Sequence, residues 1–220
     1  MKKIAIILAG CGSRDGSEIQ EAVCTLLSIS QLGGSYSCFA PDREQLDCIN
    51  HTNGQALPDK RNLLVEAARI ARGEIKELGH LKTADFDALI IPGGYGMAKN
   101  FSDFPVKGAE FAVDSQLKSI IRDFHACNKY IGAVCISPVL TAGAFAGSKI
   151  SFTVTTGHGN QTAVEAVRKS GGTVEELNSC QICIDENNRL VTTPAYMNNT
   201  NLAEIYAGIH ALVKHILQNC

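Results

Sequence analysis

The chain has no run of about 18 apolar residues, so no membrane-spanning helix is expected. It has no Lys/Arg cluster, and its formal net charge is -2, so the electrostatic footprint of a nucleic-acid-binding protein is missing. No internal repeat, linker or low-complexity segment interrupts it. The glycine-rich stretch Gly10-Cys-Gly-Ser-Arg-Asp-Gly16 lacks the spacing of a dinucleotide fingerprint, so no such cofactor is read from it. The opening Met1-Lys-Lys-Ile4 has the look of a signal peptide. Its apolar run stops at Ala9-Gly10 and is too short for an h-region.

What is present is enough for one core. The chain has 220 residues and is 45% hydrophobic; a domain of that length buries roughly 70% of its unfolded surface. A single domain over 1–220 is the expectation, with 41–80 as a candidate insertion. Nine cysteines are an odd number, and most sit inside apolar or helical patterns. That is how free thiols are used in a reducing compartment, so a cytoplasmic protein is expected.

The periodicity alternates strand and helix. Residues 3–9 are a continuous apolar run, as in a strand buried on both faces. Residues 18–32 carry a helical stripe (Ile19, Ala22, Val23, Leu26, Leu27) that stops at Gly33-Gly34. Residues 35–40 read as a second strand. The pattern β-α-β predicts a mostly parallel sheet with helices on both faces. Residues 41–61 read as polar and irregular. Helices are expected at 62–72, 114–127, 138–146, 161–170 and 201–218. Strands are expected at 86–91, 130–134 and 151–155, with a hairpin over 181–185 and 189–193.

Ligands of open parallel sheets sit at the carboxyl ends of the strands. Three such ends stand out: Gly10 to Glu18, Pro92-Gly93-Gly94, and Cys135. An apolar strand runs straight into Cys135, and Pro138 suits the first turn of a following helix. Small residues at Ala133 and Ser137 are what a strand-turn-helix nucleophile elbow needs. A helix N-terminus favours thiolate over thiol. The alternative is a buried structural cysteine. Glu18 reads either as a first-turn acid facing the helix dipole or, if the loop folds over the sheet edge, as a carboxyl group reaching Cys135. Gly93-Gly94 offers backbone N–H groups for an oxyanion, or is an ordinary turn. His158 is a candidate base for Cys135 or a loop histidine without a role. Cys180 and Cys183 have redox spacing but enter a strand, and no second ligand pair supports a metal site.

Several strings carry a resemblance to a known family: Lys3-Ile-Ala-Ile-Ile-Leu-Ala-Gly-Cys-Gly12, Asp15-Gly-Ser-Glu-Ile19, Cys38-Phe-Ala-Pro-Asp42, Cys48-Ile-Asn-His51, the string from Arg61 to Ile75, Ala88-Leu-Ile-Ile-Pro-Gly-Gly-Tyr-Gly96, Ala98-Lys-Asn100 and Val191-Thr-Thr-Pro-Ala-Tyr-Met197. Together they resemble the ThiJ/PfpI branch of the class I glutamine amidotransferase-like superfamily. Within it they resemble the ElbB family, also called sigma cross-reacting proteins or isoprenoid biosynthesis proteins with an amidotransferase-like domain. The resemblance covers nearly the whole chain. It implies a flavodoxin-like three-layer α/β sandwich with its reactive cysteine at Cys135. The acidic partner of that cysteine maps onto Glu18, and the oxyanion donors onto the backbone of Gly94 and Ile136. His158 aligns loosely with the histidine of related glyoxalases. The implied activity is a cofactor-free glyoxalase that turns glyoxal, or a similar small 2-oxoaldehyde, into a 2-hydroxy acid without glutathione. A redox or small-molecule sensor using the same thiol is the second reading. An amidohydrolase subunit is the third. Against the third, the stretch Thr193-Pro-Ala-Tyr196 holds no histidine where glutaminases of this class place one. A homodimer is expected because related proteins associate.

Overall fold

The computed structural model describes all 220 residues. In chain order the elements are β1 (Lys3–Ile7), α1 (Ile19–Gln31), β2 (Ser35–Ala40), β3 (Cys48–Ile49), β4 (Ala56–Leu57), α2 (Leu63–Ile70), β5 (Ile75–Glu77), β6 (Ala88–Ile91), α3 (Tyr95–Phe101), α4 (Phe104–Lys107), α5 (Ser115–Ala126), β7 (Tyr130–Val134), α6 (Ser137–Phe145), β8 (Phe152–Val154), α7 (Gln161–Lys169), β9 (Gly172–Val174), β10 (Cys183–Asp185), β11 (Leu190–Thr193) and α8 (Leu202–Asn219).

Seven strands form the central sheet in the order β10-β11-β7-β6-β1-β2-β5, and only β10 runs antiparallel to its neighbour. Two pairs, β3-β4 and β8-β9, make small separate sheets. Helix α1 packs on α8, and α8 lies against β7 and β11. Helix α5 packs on α6, and both also touch β7. The sheet is thus covered on both faces, the flavodoxin-like arrangement expected. Coverage on both faces is why β1 and β7 are apolar at every inner position: Ile4, Ile6, Ile7, Ile131 and Val134 are fully buried. Each such side chain contributes about 1.5–3 kcal/mol relative to exposure.

The 41–80 stretch is divided. Residues 41–62 carry the β3-β4 ribbon. The Asp15 carboxylate clips it by accepting the Ile49 N–H at 2.8 Å, and Lys99 Nζ pairs with Asp47 at 2.7 Å. From Leu63 the chain rejoins the main body. Asn62 caps α2, its Oδ1 accepting from the N–H groups of Leu64 and Val65. Strand β5 then pairs with β2 as the edge of the sheet.

The stripe on α1 holds in part: Ala22 and Leu26 are buried as expected, and the other three positions are not. Ile19, Val23 and Leu27 are 44%, 47% and 45% exposed, while Glu21, Thr25 and Ser28 are fully buried. The helix is rotated so that a polar row, spaced i, i+4, i+7, faces inward. The reason is the chemistry at its N-terminal end.

Candidate functional site

The chain leaves β1 and returns on its other side as β6, so the strand order reverses between them. Crevices at such a reversal are where open α/β sheets bind ligands. The loop 10–17 folds back over this edge. Gly12 N–H donates to Ser17 O at 2.8 Å, Glu18 N–H to Gly93 O at 2.8 Å, and Tyr95 N–H to Ser13 O at 2.7 Å. The loop and the start of α3 approach so closely that a Cβ on Gly96 would lie 1.8 Å from Gly16 N.

Cys135 follows β7 with φ of 62°, a left-handed conformation that a non-glycine residue adopts at a cost. Its N–H donates to Thr193 O at 3.0 Å, which continues the ladder with β11 for one more residue. Ser137 Oγ donates to Pro92 O at 2.8 Å and fixes the start of α6, with Pro138 in the first turn. This is the expected elbow. The backbone N–H groups of Gly94 and Ile136 act on the Sγ in the direction that favours its charged form. Gly93 is required by close approach: a Cβ there would stand 2.4 Å from Cys135 Cβ and 2.6 Å from Glu21 Oε2.

Two expectations are corrected. The carboxyl group bonded to the Cys135 thiol is that of Glu21, not Glu18. Glu21 is fully buried; its Oε2 accepts from Gly93 N–H at 3.0 Å and its Oε1 from Tyr196 N–H at 3.3 Å. Glu18 is one turn earlier. Its Oε2 caps α1 by accepting the Glu21 N–H at 2.6 Å, and its side chain lines the same cavity. The two acids lie three residues apart on one helix, so both reach the sheet edge, but only the inner one meets the sulfur. His158 is also displaced. It lies half exposed in a separate polar cleft, with Nε2 3.3 Å from Asn178 Oδ1 and Nδ1 3.6 Å from Glu176 Oε2. Its loop is tied down by Asn198, which accepts the His158 N–H at 2.8 Å. Met197 stands between that cleft and the Cys135 cavity.

The electrostatics follow from burial. Glu21 is pushed up to about 8, first by desolvation and then by the nearby charge of Glu18, so it is mostly neutral at pH 7. Burial, and then the Glu21 carboxylate, hold the Cys135 thiol well above its ordinary value. The Gly94 and Ile136 N–H groups act in the opposite direction. The helix N-terminus alone therefore does not set the thiol's ionisation, contrary to the simple expectation. Burial also raises Glu18, against three backbone N–H groups that favour its charged form. The redox-spaced pair is ordinary: Cys180 is exposed, and Cys183 is a buried thiol pushed up to about 12.

The cavity above Sγ measures about 240 Å³. Sequence reasoning missed most of its wall: Tyr95, Phe104, Asn160 and Tyr196. Tyr196 follows Ala195, whose φ of 46° aims the Tyr196 N–H at Glu21. No imidazole lines the cavity; its ionisable side chains are Glu18, Tyr95, Tyr196 and Cys135. No helix is long and apolar enough to cross a membrane.

A model of the DJ-1/PfpI family matches residues 74–204. The chain is 40% identical to the rat (Rattus norvegicus) "ES1 protein homolog, mitochondrial", over 98% of this chain and 83% of that one. It is 39% identical to the human (Homo sapiens) "Glutamine amidotransferase-like class 1 domain-containing protein 3, mitochondrial", over 98% and 82%. A crystal structure of an isoprenoid biosynthesis protein with amidotransferase-like domain from Ehrlichia chaffeensis superposes with a TM-score of 0.92 at 34% identity, covering 99% of each chain.

Proposed function

The chain belongs to the DJ-1/PfpI family, and from that premise we propose that it is a cofactor-free glyoxalase-type enzyme. One observation carries the reading: a thiol at the floor of a small cavity meets two backbone N–H donors and a carboxyl group that is largely protonated at neutral pH.

In this mechanism Cys135 Sγ adds to one aldehyde carbon of glyoxal. The S–C bond forms, the C=O π pair moves to oxygen, and the N–H groups of Gly94 and Ile136 hold that oxyanion. The thiol proton reaches the oxygen through Glu21, giving a hemithioacetal. The Glu18 carboxylate, on the cavity wall, takes the proton from the sulfur-bearing carbon. The resulting enediol is reprotonated at the neighbouring carbon, leaving a thioester of glycolate. Water then cleaves the S–C bond, glycolate departs, and Sγ recovers its proton. The balance is glyoxal plus one water to glycolate and one proton, with no external oxidant or reductant.

Two features argue for this over hydrolysis of glutamine. No histidine lies in the cavity to activate the thiol, and Tyr196 supplies only its backbone to the acid. The sensor reading keeps the same thiol without turnover. Glyoxal consumption followed with Cys135→Ala decides between them: loss of activity with retained fold is expected, and survival of turnover overturns the enzyme reading. We place the chain in a reducing compartment because its nine thiols are unpaired; "mitochondrial" is part of the rat and human relatives' names.

A further inference from the structure

Ser179 lines the polar cleft beside His158 rather than the thiol cavity, and it is 1% exposed. Its Oγ donates to the Ala195 carbonyl at 2.8 Å. That carbonyl and the Tyr196 N–H belong to one planar peptide unit and point to opposite sides of it. The N–H reaches Glu21 Oε1 at 3.3 Å. Ser179 and Glu21, far apart in the chain, therefore hold the same peptide from its two ends. Turning the plane to release one bond also releases the other. The plane needs such a hold: Ala195 has φ of 46°, and a residue with a Cβ keeps that conformation only where its surroundings impose it.

Ser179 is itself fixed from several sides. The turn that carries it is closed by the Gln181 N–H on Asn178 O at 2.9 Å and by the Asn178 N–H on Gln181 Oε1 at 2.9 Å. From the end of β11, Thr193 Oγ1 donates to Gln181 O at 2.9 Å and lies 3.3 Å from Ser179 O. Helix α8 closes the other side. A Cβ on Gly208 would stand 2.0 Å from Ser179 O and 2.6 Å from Thr193 Oγ1, so the turn fits there only against a glycine. Asn198 ties the same two segments together, its Nδ2 donating to Leu177 O at 3.0 Å and its N–H to Ala195 O at 3.3 Å. A hydroxyl held this firmly can impose a backbone conformation rather than follow one.

We propose, resting on the reaction given above for what Glu21 does, that Ser179 is a positioning residue of the thiol site: its hydroxyl fixes the Ala195–Tyr196 peptide plane, the plane keeps the Tyr196 N–H on Glu21, and the carboxyl group is thereby held where it can pass the Cys135 proton. The Tyr196 N–H favours the charged form of Glu21. The titratable groups that face Glu21 are Glu18 and Cys24 on its own helix, Cys135 at the elbow and the Tyr196 hydroxyl across from α1. A change at Ser179 leaves all four in the chain and acts on Glu21 through the peptide alone.

The test follows Glu21 itself, by the carbon-13 shift of its carboxyl group against pH in full-length protein labelled at glutamate, with Glu21→Gln to assign the signal. The wild-type midpoint is expected near 8. Ser179→Ala should move it up by about one pH unit, because a carboxylate loses more than a carboxylic acid when a donor swings away. Glyoxal kcat should fall in the same variant while KM holds. Glycine takes the φ of Ala195 without strain, so Ser179→Ala combined with Ala195→Gly should return the midpoint most of the way. Ala195→Gly alone keeps the hydroxyl and should leave the midpoint in place. Should Ser179→Ala fail to fold, as read by its urea transition, Ser179→Cys nearly keeps the shape with only a weak donor and should shift the midpoint in the same direction. An unmoved midpoint in the folded Ser179 variant, or a shift of equal size with and without Ala195→Gly, would overturn the proposal. The midpoints are read without substrate, so a wild type that consumes no glyoxal strikes the reaction and not the positioning, and the two failures are distinguishable.

Discussion

Glu21→Gln should gain stability relative to the wild type as pH rises through the neutral range, although it replaces a buried carboxyl group whose two oxygens each accept a backbone N–H. The carboxyl group titrates near 8 in the folded protein against an ordinary value of 4.5. The unfolded chain therefore releases this proton first. The stability tied to the neutral carboxyl is fully present below pH 4.5, falls as pH rises between 4.5 and 8, and has been withdrawn above 8. At about 1.36 kcal/mol per pH unit of separation, the loss is roughly 3 kcal/mol at pH 7 and roughly 5 kcal/mol above pH 9. Glutamine has the same shape. Its single oxygen accepts either the Gly93 or the Tyr196 N–H, since the two reach different oxygens of the carboxyl group; the N–H left facing the amide NH2 costs about 1–3 kcal/mol at every pH, while the variant has no charge to lose as pH rises. Urea unfolding at half-unit steps from pH 5 to pH 8 gives the difference between variant and wild type. Groups remote from Glu21 cancel in that difference, Glu18 is the one carboxyl group coupled to it, and the upper limit stays below the Cys135 titration. The variant should gain on the wild type by about 1 kcal/mol per pH unit across the window. Parallel curves would mean that Glu21 ionises normally, and the proton route drawn through it would fall with them.

Gly96→Ala places a Cβ 1.8 Å from Gly16 N and 2.1 Å from the Asp15 carbonyl carbon, both main-chain atoms. Pushing the loop off α3 should cost about 3 kcal/mol or more, read as a lower urea midpoint; an unchanged midpoint would refute the close approach. His158→Ala should leave glyoxal turnover within about twofold of wild type, because the imidazole faces Asn178 and Glu176 across Met197 from the thiol; a loss beyond tenfold, which is about 1.4 kcal/mol of barrier, would return it to the chemistry.

The main strands were legible because both faces of the sheet are covered, and that coverage writes continuous apolar runs at 3–9, 86–91 and 130–134; their order in the sheet was not read from the sequence. The short pieces were not. Strand β5 has three residues, Ile75-Lys-Glu77, and lies at the edge, where pairing with β2 rather than composition makes it a strand. Helix α3 begins at Tyr95 immediately after two glycines that look like a turn, and its start is held by Ser13 from a distant loop. Cys135 could be read from local pattern, since an elbow is a feature of consecutive residues, whereas the pairing of Gly94 with Ile136 came from the family resemblance. The partner acid could not be read that way, because it depends on which side of α1 turns inward. The apolar positions Ile19, Val23 and Leu27 compete for that face and lose. A buried glutamate needs donors, and the backbone of Gly93 and Tyr196 supplies them only when the inner face carries Glu21. The trace left in the sequence is the row Glu21, Thr25 and Ser28 at helical spacing beside Ala22 and Ile29, small or polar where an ordinary core helix would be aliphatic. Such a row on the first helix after a glycine-rich loop marks where a fold gives up hydrophobic burial for a titratable group. Here that group lies against the one thiol whose backbone conformation is itself strained. Strain at Cys135, strain at Ala195 and a carboxyl group held out of water converge on a single point at the sheet edge, and that convergence is the physical ground for reading this cysteine as reactive rather than merely buried.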